Sequence, residues 1–150
     1  MGPPETAAEP KPRNRFVRAR DARQGEIAED YVELIDDLIR ERGEARAAEI
    51  ARTLGVTHVT VIRTVARLAR DGLVETEPYS AVMLTAAGRA LAARARARHE
   101  IVAGFLRAIG VDEATAREDA EGMEHHASEA TLRAMQKLME KMQKSGKLGE

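Results

Sequence analysis

A single stretch of the chain, residues 73–84, has the pattern of β-strands, and this limits the possible folds more than any other feature. Residues 73–77 and 82–84 are rich in Leu, Val and Thr, and the turn-forming sequence Pro-Tyr-Ser-Ala at 78–81 separates them. This arrangement predicts two short strands about a turn. Elsewhere apolar residues recur at helical spacing, and aromatic residues, which favour strands, make up only 3% of the composition. We therefore predict a mainly α protein with one two-stranded ribbon.

Two short helices joined by a tight turn are predicted to precede this ribbon. The first covers residues 47–54 and ends at Gly55, and the second, residues 58–70, follows Thr57, whose hydroxyl can cap its first turn. Helix, tight turn, helix and ribbon is the order of a winged helix-turn-helix. In that fold the helix 58–70 enters the DNA major groove, and residues 74–84 form the wing.

Helical spacing also covers most of the remaining chain. The predicted helices run from Glu26 to near Gly43, from Thr85 to Ile109, and over 112–124 and 128–143. Residues 1–25 contain four prolines and six Lys or Arg with little periodic hydrophobicity, so we expect a flexible basic arm there. Residues 144–150 are predicted to form a flexible tail.

Composition excludes several classes of protein. The chain contains no cysteine, so a bound metal must use oxygen and imidazole ligands. It also lacks an apolar stretch of the roughly 18 residues that a membrane span requires, and its charged start does not resemble a signal peptide, so we expect a cytoplasmic protein without a membrane partner. The net charge of −1 does not favour a nucleic-acid binder, but residues 46–70 hold five arginines against one acid.

The helix 58–70 has the pattern of a DNA-reading helix. Val61, Val65 and Leu68 are spaced to face the core. The polar residues left toward solvent are the candidate DNA contacts: Thr57, His58, Thr60, Arg63, Thr64 and Arg67. Arginine can bind guanine or phosphate through its guanidinium, and threonine can contact phosphate or a thymine methyl. Alternatively, the arginines form an ordinary solvated helix face, or the winged helix binds a protein; the turn, the arginines and the ribbon together favour DNA.

Carboxylates and histidines at helical spacing suggest a metal site. The six candidate ligands lie in three separate stretches: Asp30, Glu33, His99, Glu121, Glu124 and His125. The last three share one helix face through i, i+3 and i+4 spacing, and the first two are one turn apart beside an apolar face. Taken alone, each cluster has an ordinary explanation, as a solvated acidic turn or a hydrogen-bonded core histidine. They gain weight only if the fold brings them together.

Several motifs resemble those of the manganese transport regulator branch of the DtxR family of metal-dependent repressors, and the resemblance covers roughly residues 26–140. The motifs are EDYVELI at 29–35, EIA at 49–51, LTAAG at 84–88, RHE at 98–100 and DAEGMEHH at 119–126. The resemblance implies that the six candidate ligands form a two-metal site. Iron-responsive relatives carry methionine where this chain has Asp30 and cysteine where it has Glu121. Carboxylates at these positions favour a hard ion such as Mn²⁺, with Fe²⁺ or Zn²⁺ as possible substitutes.

The resemblance also implies a function and a domain organisation. Residues 26–86 would form a winged helix-turn-helix that binds DNA, and residues 87–143 an all-helical metal-binding and dimerisation domain. The chain would be a homodimeric transcription repressor of manganese homeostasis genes that binds a double-stranded operator, with no enzymatic activity and no small organic substrate. One alternative is a winged-helix regulator that responds to iron, zinc, an organic ligand or a partner protein. Another is a dinuclear-metal enzyme, which is disfavoured because neither paired Glu-x-x-His motifs nor HExxH occurs.

Overall fold

The computed structural model describes residues 12–146, and this part of the chain is mainly α-helical, as predicted. The elements are α1 (Pro12–Arg42), α2 (Ala47–Leu54), α3 (His58–Arg70), β1 (Val74–Glu75), β2 (Met83–Leu84), α4 (Ala86–Ala108), α5 (Glu113–Met123) and α6 (Glu129–Lys144). β1 and β2 pair antiparallel, with Val74 opposite Leu84. Within residues 12–146, every helix is too short or too polar to span a membrane.

The beginning of α1 differs from the prediction. The helix begins at Pro12 and not at Glu26, so residues 12–25 are helical where a flexible arm was expected. Proline is well tolerated in the first helical turn, and the Ala, Arg and Gln of this segment are good helix formers. The exposed segment continues a helix whose later turns are packed, so it needs no apolar face of its own. The rest of the predicted arm, residues 1–11, and residues 147–150 of the predicted tail lie outside the described residues.

Two apolar cores share α4. The first lies among α1, α2, α3 and the sheet, and it buries Val61, Val65 and Leu68, as predicted for the inner face of α3. The second joins α4 to α5 and α6 around Val102 and Leu132. Helix α1 also packs against α4. The α1–α4 contact therefore connects the winged part of the molecule to its C-terminal helices.

Gly88 allows the first turn of α4 to pack against the wing. A Cβ added at this position would lie 2.0 Å from the backbone oxygen of Leu73, a distance that real side chains do not reach. We expect Gly88→Ala to lower the free energy of unfolding by about 1–3 kcal/mol, because the backbone must move to relieve the clash. Chemical denaturation of both proteins measures this change.

The matched control is Gly104→Ala in the same helix. Its Cβ would make ordinary contacts, 3.5 Å from Met139 Sδ and 3.7 Å from Arg107 Nη2. Because alanine favours helix more than glycine does, this variant should be unchanged or more stable by up to about 1 kcal/mol. Equal effects at the two positions would contradict the assigned role of Gly88.

Candidate metal centre and DNA interface

Side chains from two distant stretches of the sequence meet around His125. This residue follows α5, and its imidazole is only 3% exposed. Its Nε2 lies 3.2 Å from Asp30 Oδ1 on α1 and 3.5 Å from Glu124 Oε1. Its Nδ1 hydrogen-bonds to Glu29 Oε2 at 2.5 Å. The acidic turn of α1 and the motif at the end of α5 are therefore in direct contact.

The third stretch joins the same cluster through Glu124. The side chain of Glu124 is 3% exposed, and its Oε2 lies 3.2 Å from His99 Nδ1 on α4. This oxygen is buried and accepts no hydrogen bond from the described residues. Burial, and next the negative charge of Glu33, raise the pKa of Glu124 from 4.5 to about 8. Glu124 therefore holds a proton at neutral pH unless a cation takes its place.

The acids of α1 are crowded in the same way. Burial raises the pKa of Asp30, and the negative charges of Glu26, Glu29 and Glu121 add to this effect, whereas His125 opposes it. The pKa of Glu33 is also raised, first by burial, although Arg96 partly compensates. Concentrating carboxylates in one place is unfavourable without a positive counter-charge.

Of the six predicted ligands, four are joined by direct contacts: Asp30, His99, Glu124 and His125. The negative charge of Glu33 raises the pKa of Glu124. Glu121 is exposed at the rim of the cluster, where its charge acts on Asp30. The arrangement thus brings all three predicted stretches together, with Glu121 as the most peripheral member.

Two acids at this cluster were missing from the predicted ligand set. Oxygen atoms of Glu26 and Asp30 and a ring nitrogen of His125 lie within 4.8 Å of one another. Glu29 Oε2 hydrogen-bonds to Nδ1 of His125. Helical spacing could have found both, because Glu26 precedes Asp30, and Glu29 precedes Glu33, by four residues on the same helix face. His126 is 60% exposed, and its Nε2 lies 3.6 Å from Glu26 Oε2.

The donor set fits a hard divalent cation. It consists of carboxylate oxygens and imidazole nitrogens without sulfur, which suits Mn²⁺ better than softer metals. The buried, unpartnered oxygen of Glu124 is the type of atom that a cation would satisfy. The protein's own residues therefore fit such a metal.

The candidate DNA contacts lie on and just before α3. Thr57, His58, Thr60 and Arg63 are exposed, whereas Thr64 and Arg67 are half-buried. Thr57 also caps α3, since its hydroxyl accepts a hydrogen bond from the Thr60 backbone NH at 3.1 Å. The Arg67 Nη2 is buried and lacks a hydrogen-bond partner within the described part of the chain.

Two apolar residues of α3 were not selected from the sequence. Val59 is 60% exposed and Ile62 is 50% exposed, beside the polar candidates. Exposed apolar side chains on a DNA-reading helix can contact thymine methyl groups. In the sequence, these two residues differ from the core residues of α3 only in that their spacing places them away from its buried face.

Comparison with known proteins identifies the family. Residues 25–82 match the family model described as iron dependent repressor, N-terminal DNA binding domain. Residues 85–147 match its metal binding and dimerisation domain. The transcriptional regulator MntR of Escherichia coli O6:H1 is 51% identical over 126 residues, which cover 84% of this chain and 81% of that protein. The chain belongs to the MntR branch of the DtxR family of metal-dependent repressors. The family's proteins are transcription repressors, as the resemblance implied.

The chain is also similar to a second curated regulator and to two solved structures. The HTH-type transcriptional regulator MntR of Bacillus subtilis is 43% identical over 100 residues, covering 67% of this chain and 70% of that protein. A solved manganese-dependent transcriptional repressor in complex with manganese is 28% identical, with a TM-score of 0.63 over 72% of this chain and 50% of its own. The structure of the manganese regulator SloR shares the fold, with a TM-score of 0.65 at 24% identity over 75% of this chain. The chain spans about half the length of these two structures: 53% of SloR and 50% of the other.

Proposed function

We propose that this DtxR-family repressor responds to manganese, binds its operator as a homodimer in the cytoplasm, and controls manganese homeostasis genes. Residues 26–86 would bind DNA, and residues 87–143 would bind metal and dimerise. The observation that carries the proposal is that Asp30 and Glu124 Oε1 both approach His125 Nε2, while the other oxygen of Glu124, Oε2, is buried beside His99 without a hydrogen-bond donor among the described residues. The relatives named as manganese-dependent regulators support the choice of metal.

The six predicted side chains would hold two divalent ions in each subunit. Their four carboxylates match the four positive charges of two such ions, with His99 and His125 as neutral donors, so bound metal would relieve the repulsion among the acids. Glu26 offers a further oxygen beside Asp30 and His125. Fe²⁺ and Zn²⁺ accept the same donor types, so geometry and availability must favour manganese.

Helix α1 connects this site to the DNA-binding surface. The helix contains Asp30 and Glu33 near its middle, and it also contacts α2 and β2 of the winged part. Side chains that hold α1 at the metal site therefore also set the position of α3. In a dimer this would place two α3 helices at the spacing of two operator half-sites. A preference of roughly 10⁴-fold for the DNA-competent arrangement would convert a 1:99 equilibrium to 99:1.

The proposal is tested by measuring metal and DNA binding on the same preparation. The metal content of protein purified without chelator is measured first, and operator affinity is then titrated with Mn²⁺, Fe²⁺ and Zn²⁺. We expect Mn²⁺ to strengthen operator binding by about 100-fold, a typical upper value for coupled sites. Stronger activation by Fe²⁺ or Zn²⁺ would reassign the effector, and operator binding that ignores all three metals would refute metal control.

A further inference from the structure

Arg96 on α4 joins two consecutive acids of α1. Its Nη1 donates to Asp36 Oδ2, and its Nη2 donates to Asp37 Oδ1. The same Nη2 also donates to the backbone oxygen of Glu33 at 3.4 Å. Asp36 is buried, with 8% exposure, and a second arginine, Arg40, approaches it at 3.2 Å. A buried carboxylate of this kind is stable only with such a counter-charge.

Arg98 on α4 makes a second connection to α1, at Glu29, two helical turns before Asp36. Its Nη2 lies 2.5 Å from Glu29 Oε1, and the other oxygen of Glu29 binds His125 Nδ1 at 2.5 Å. Asp30 and Glu33 lie between Glu29 and Asp36 on α1. The two arginines of α4 therefore contact α1 on both sides of the acidic turn that is proposed to bind metal.

We propose that Arg96 and Arg98, here called the arginine bridge, are positioning residues that hold α1 against α4 without metal and so set the manganese concentration needed for DNA binding. The first part rests on the contacts alone, and the second rests on the proposed function. The guanidinium groups supply positive charge to the acidic face of α1 from protein residues. The metal ligands on α1 then stay close to their partners before any cation binds.

The chemistry of arginine suits this role. Its planar guanidinium can contact two carboxylates at once, as Arg96 does with Asp36 and Asp37. A lysine ammonium is a single point of charge and cannot reproduce this geometry. Arg96→Lys should therefore restore only part of the function.

The bridge should affect metal affinity without supplying a ligand. If its loss lowered the population of the docked arrangement to about one tenth, the apparent dissociation constant for Mn²⁺ would rise about tenfold. Saturating Mn²⁺ would restore docking, since bound metal favours the same arrangement. Operator affinity at saturation should then return to within about threefold of the unmodified protein.

The test compares Arg96→Ala with Arg94→Ala, which removes an exposed arginine from the same helix. Backbone hydrogen exchange in chelator is measured over residues 29–37, and Mn²⁺ affinity is measured without DNA by the paramagnetic resonance of free Mn²⁺. Operator binding is then titrated against Mn²⁺. In Arg96→Ala we expect faster hydrogen exchange over residues 29–37. We also expect an about tenfold higher Mn²⁺ concentration for half-maximal operator binding. Neither value should change in Arg94→Ala.

Several outcomes would overturn the arginine bridge. One is unchanged hydrogen exchange over residues 29–37 in Arg96→Ala. Another is an unchanged Mn²⁺ concentration for half-maximal operator binding together with a lower melting temperature, which would indicate only a general structural role. Operator binding of Arg96→Ala without metal would mean that the contact holds the inactive arrangement. If Arg96→Ala does not fold, Asp37→Asn removes one partner at an exposed position and should shift exchange and half-activation in the same directions. If Mn²⁺ does not change operator binding by the unmodified protein, the proposed function fails. Hydrogen exchange over residues 29–37 still tests the arginine bridge in that case.

Discussion

Replacing His125 with alanine should abolish the stimulation of operator binding by manganese. The imidazole contacts Asp30 and Glu124 through Nε2 and Glu29 through Nδ1, so its loss removes a proposed ligand and the group that joins α1 to the end of α5. We expect operator affinity at saturating Mn²⁺ to fall about 100-fold, to the metal-free value. Fluorescence anisotropy of labelled operator DNA, with and without Mn²⁺, measures this loss.

The adjacent histidine provides a matched control. His126 is 60% exposed, and within residues 12–146 its ion-pair contact is with Glu26 alone. His126→Ala should therefore keep most of the response to Mn²⁺. Sedimentation should show that both variants keep the oligomeric state of the unmodified protein. A normal manganese response in His125→Ala, or equal losses in the two variants, would exclude His125 as a ligand.

Alanine at both Arg63 and Arg67 should weaken operator binding strongly while leaving manganese affinity unchanged. Arg63 is exposed on α3, and the half-buried Arg67 follows it by one helical turn, so both are proposed to bind DNA. A good base contact contributes roughly 1–3 kcal/mol, so each loss should weaken binding by about tenfold. Operator titrations at saturating Mn²⁺ measure the effect, and titrations without DNA measure metal affinity.

A control for the two α3 arginines is Arg133→Ala, at an exposed position of α6. It removes one positive charge, as each of the two α3 substitutions does, from a helix that is not proposed to contact DNA, so operator affinity should change little. If Arg63 or Arg67 binds phosphate, its removal should reduce the dependence of log affinity on log salt concentration by about one unit. A loss of manganese affinity in the double variant would contradict the separation of the DNA and metal sites.

Local sequence patterns were enough to predict most of the helices. Thr57 is the N-cap of α3, as expected, and its hydroxyl accepts a hydrogen bond from a backbone NH of the first turn. Thr85 caps α4 in the same way. The beginning of α1 at Pro12 was not predicted. Periodic hydrophobicity indicates which helix face is buried. An exposed extension of a packed helix buries no face, so its sequence lacks this pattern.

The candidate site was predicted in part for the same reason. The spacing of Glu121, Glu124 and His125 can be recognised without a structure, but the expected shared helix face forms only in part, because α5 ends at Met123 and Glu121 is exposed whereas Glu124 is buried. The sequence does not specify which oxygen of Glu124 is buried without a donor, because that depends on how α4 and α1 pack around it. The contacts of Arg96 with Asp36 and Asp37 were missed because these residues are about 60 positions apart.

The sequence alone determined the class of the protein: its helices, its single ribbon, the family motifs and a ligand set restricted to oxygen and nitrogen. These properties follow from short-range periodicity and from residue chemistry, which do not depend on distant contacts. The tertiary structure decided how α1, α4 and the end of α5 meet, which raises the pKa of Glu124 to about 8 and places arginines beside the acids of α1. Burial and charge interactions depend on distances in space, and only the packing of the helices sets those distances.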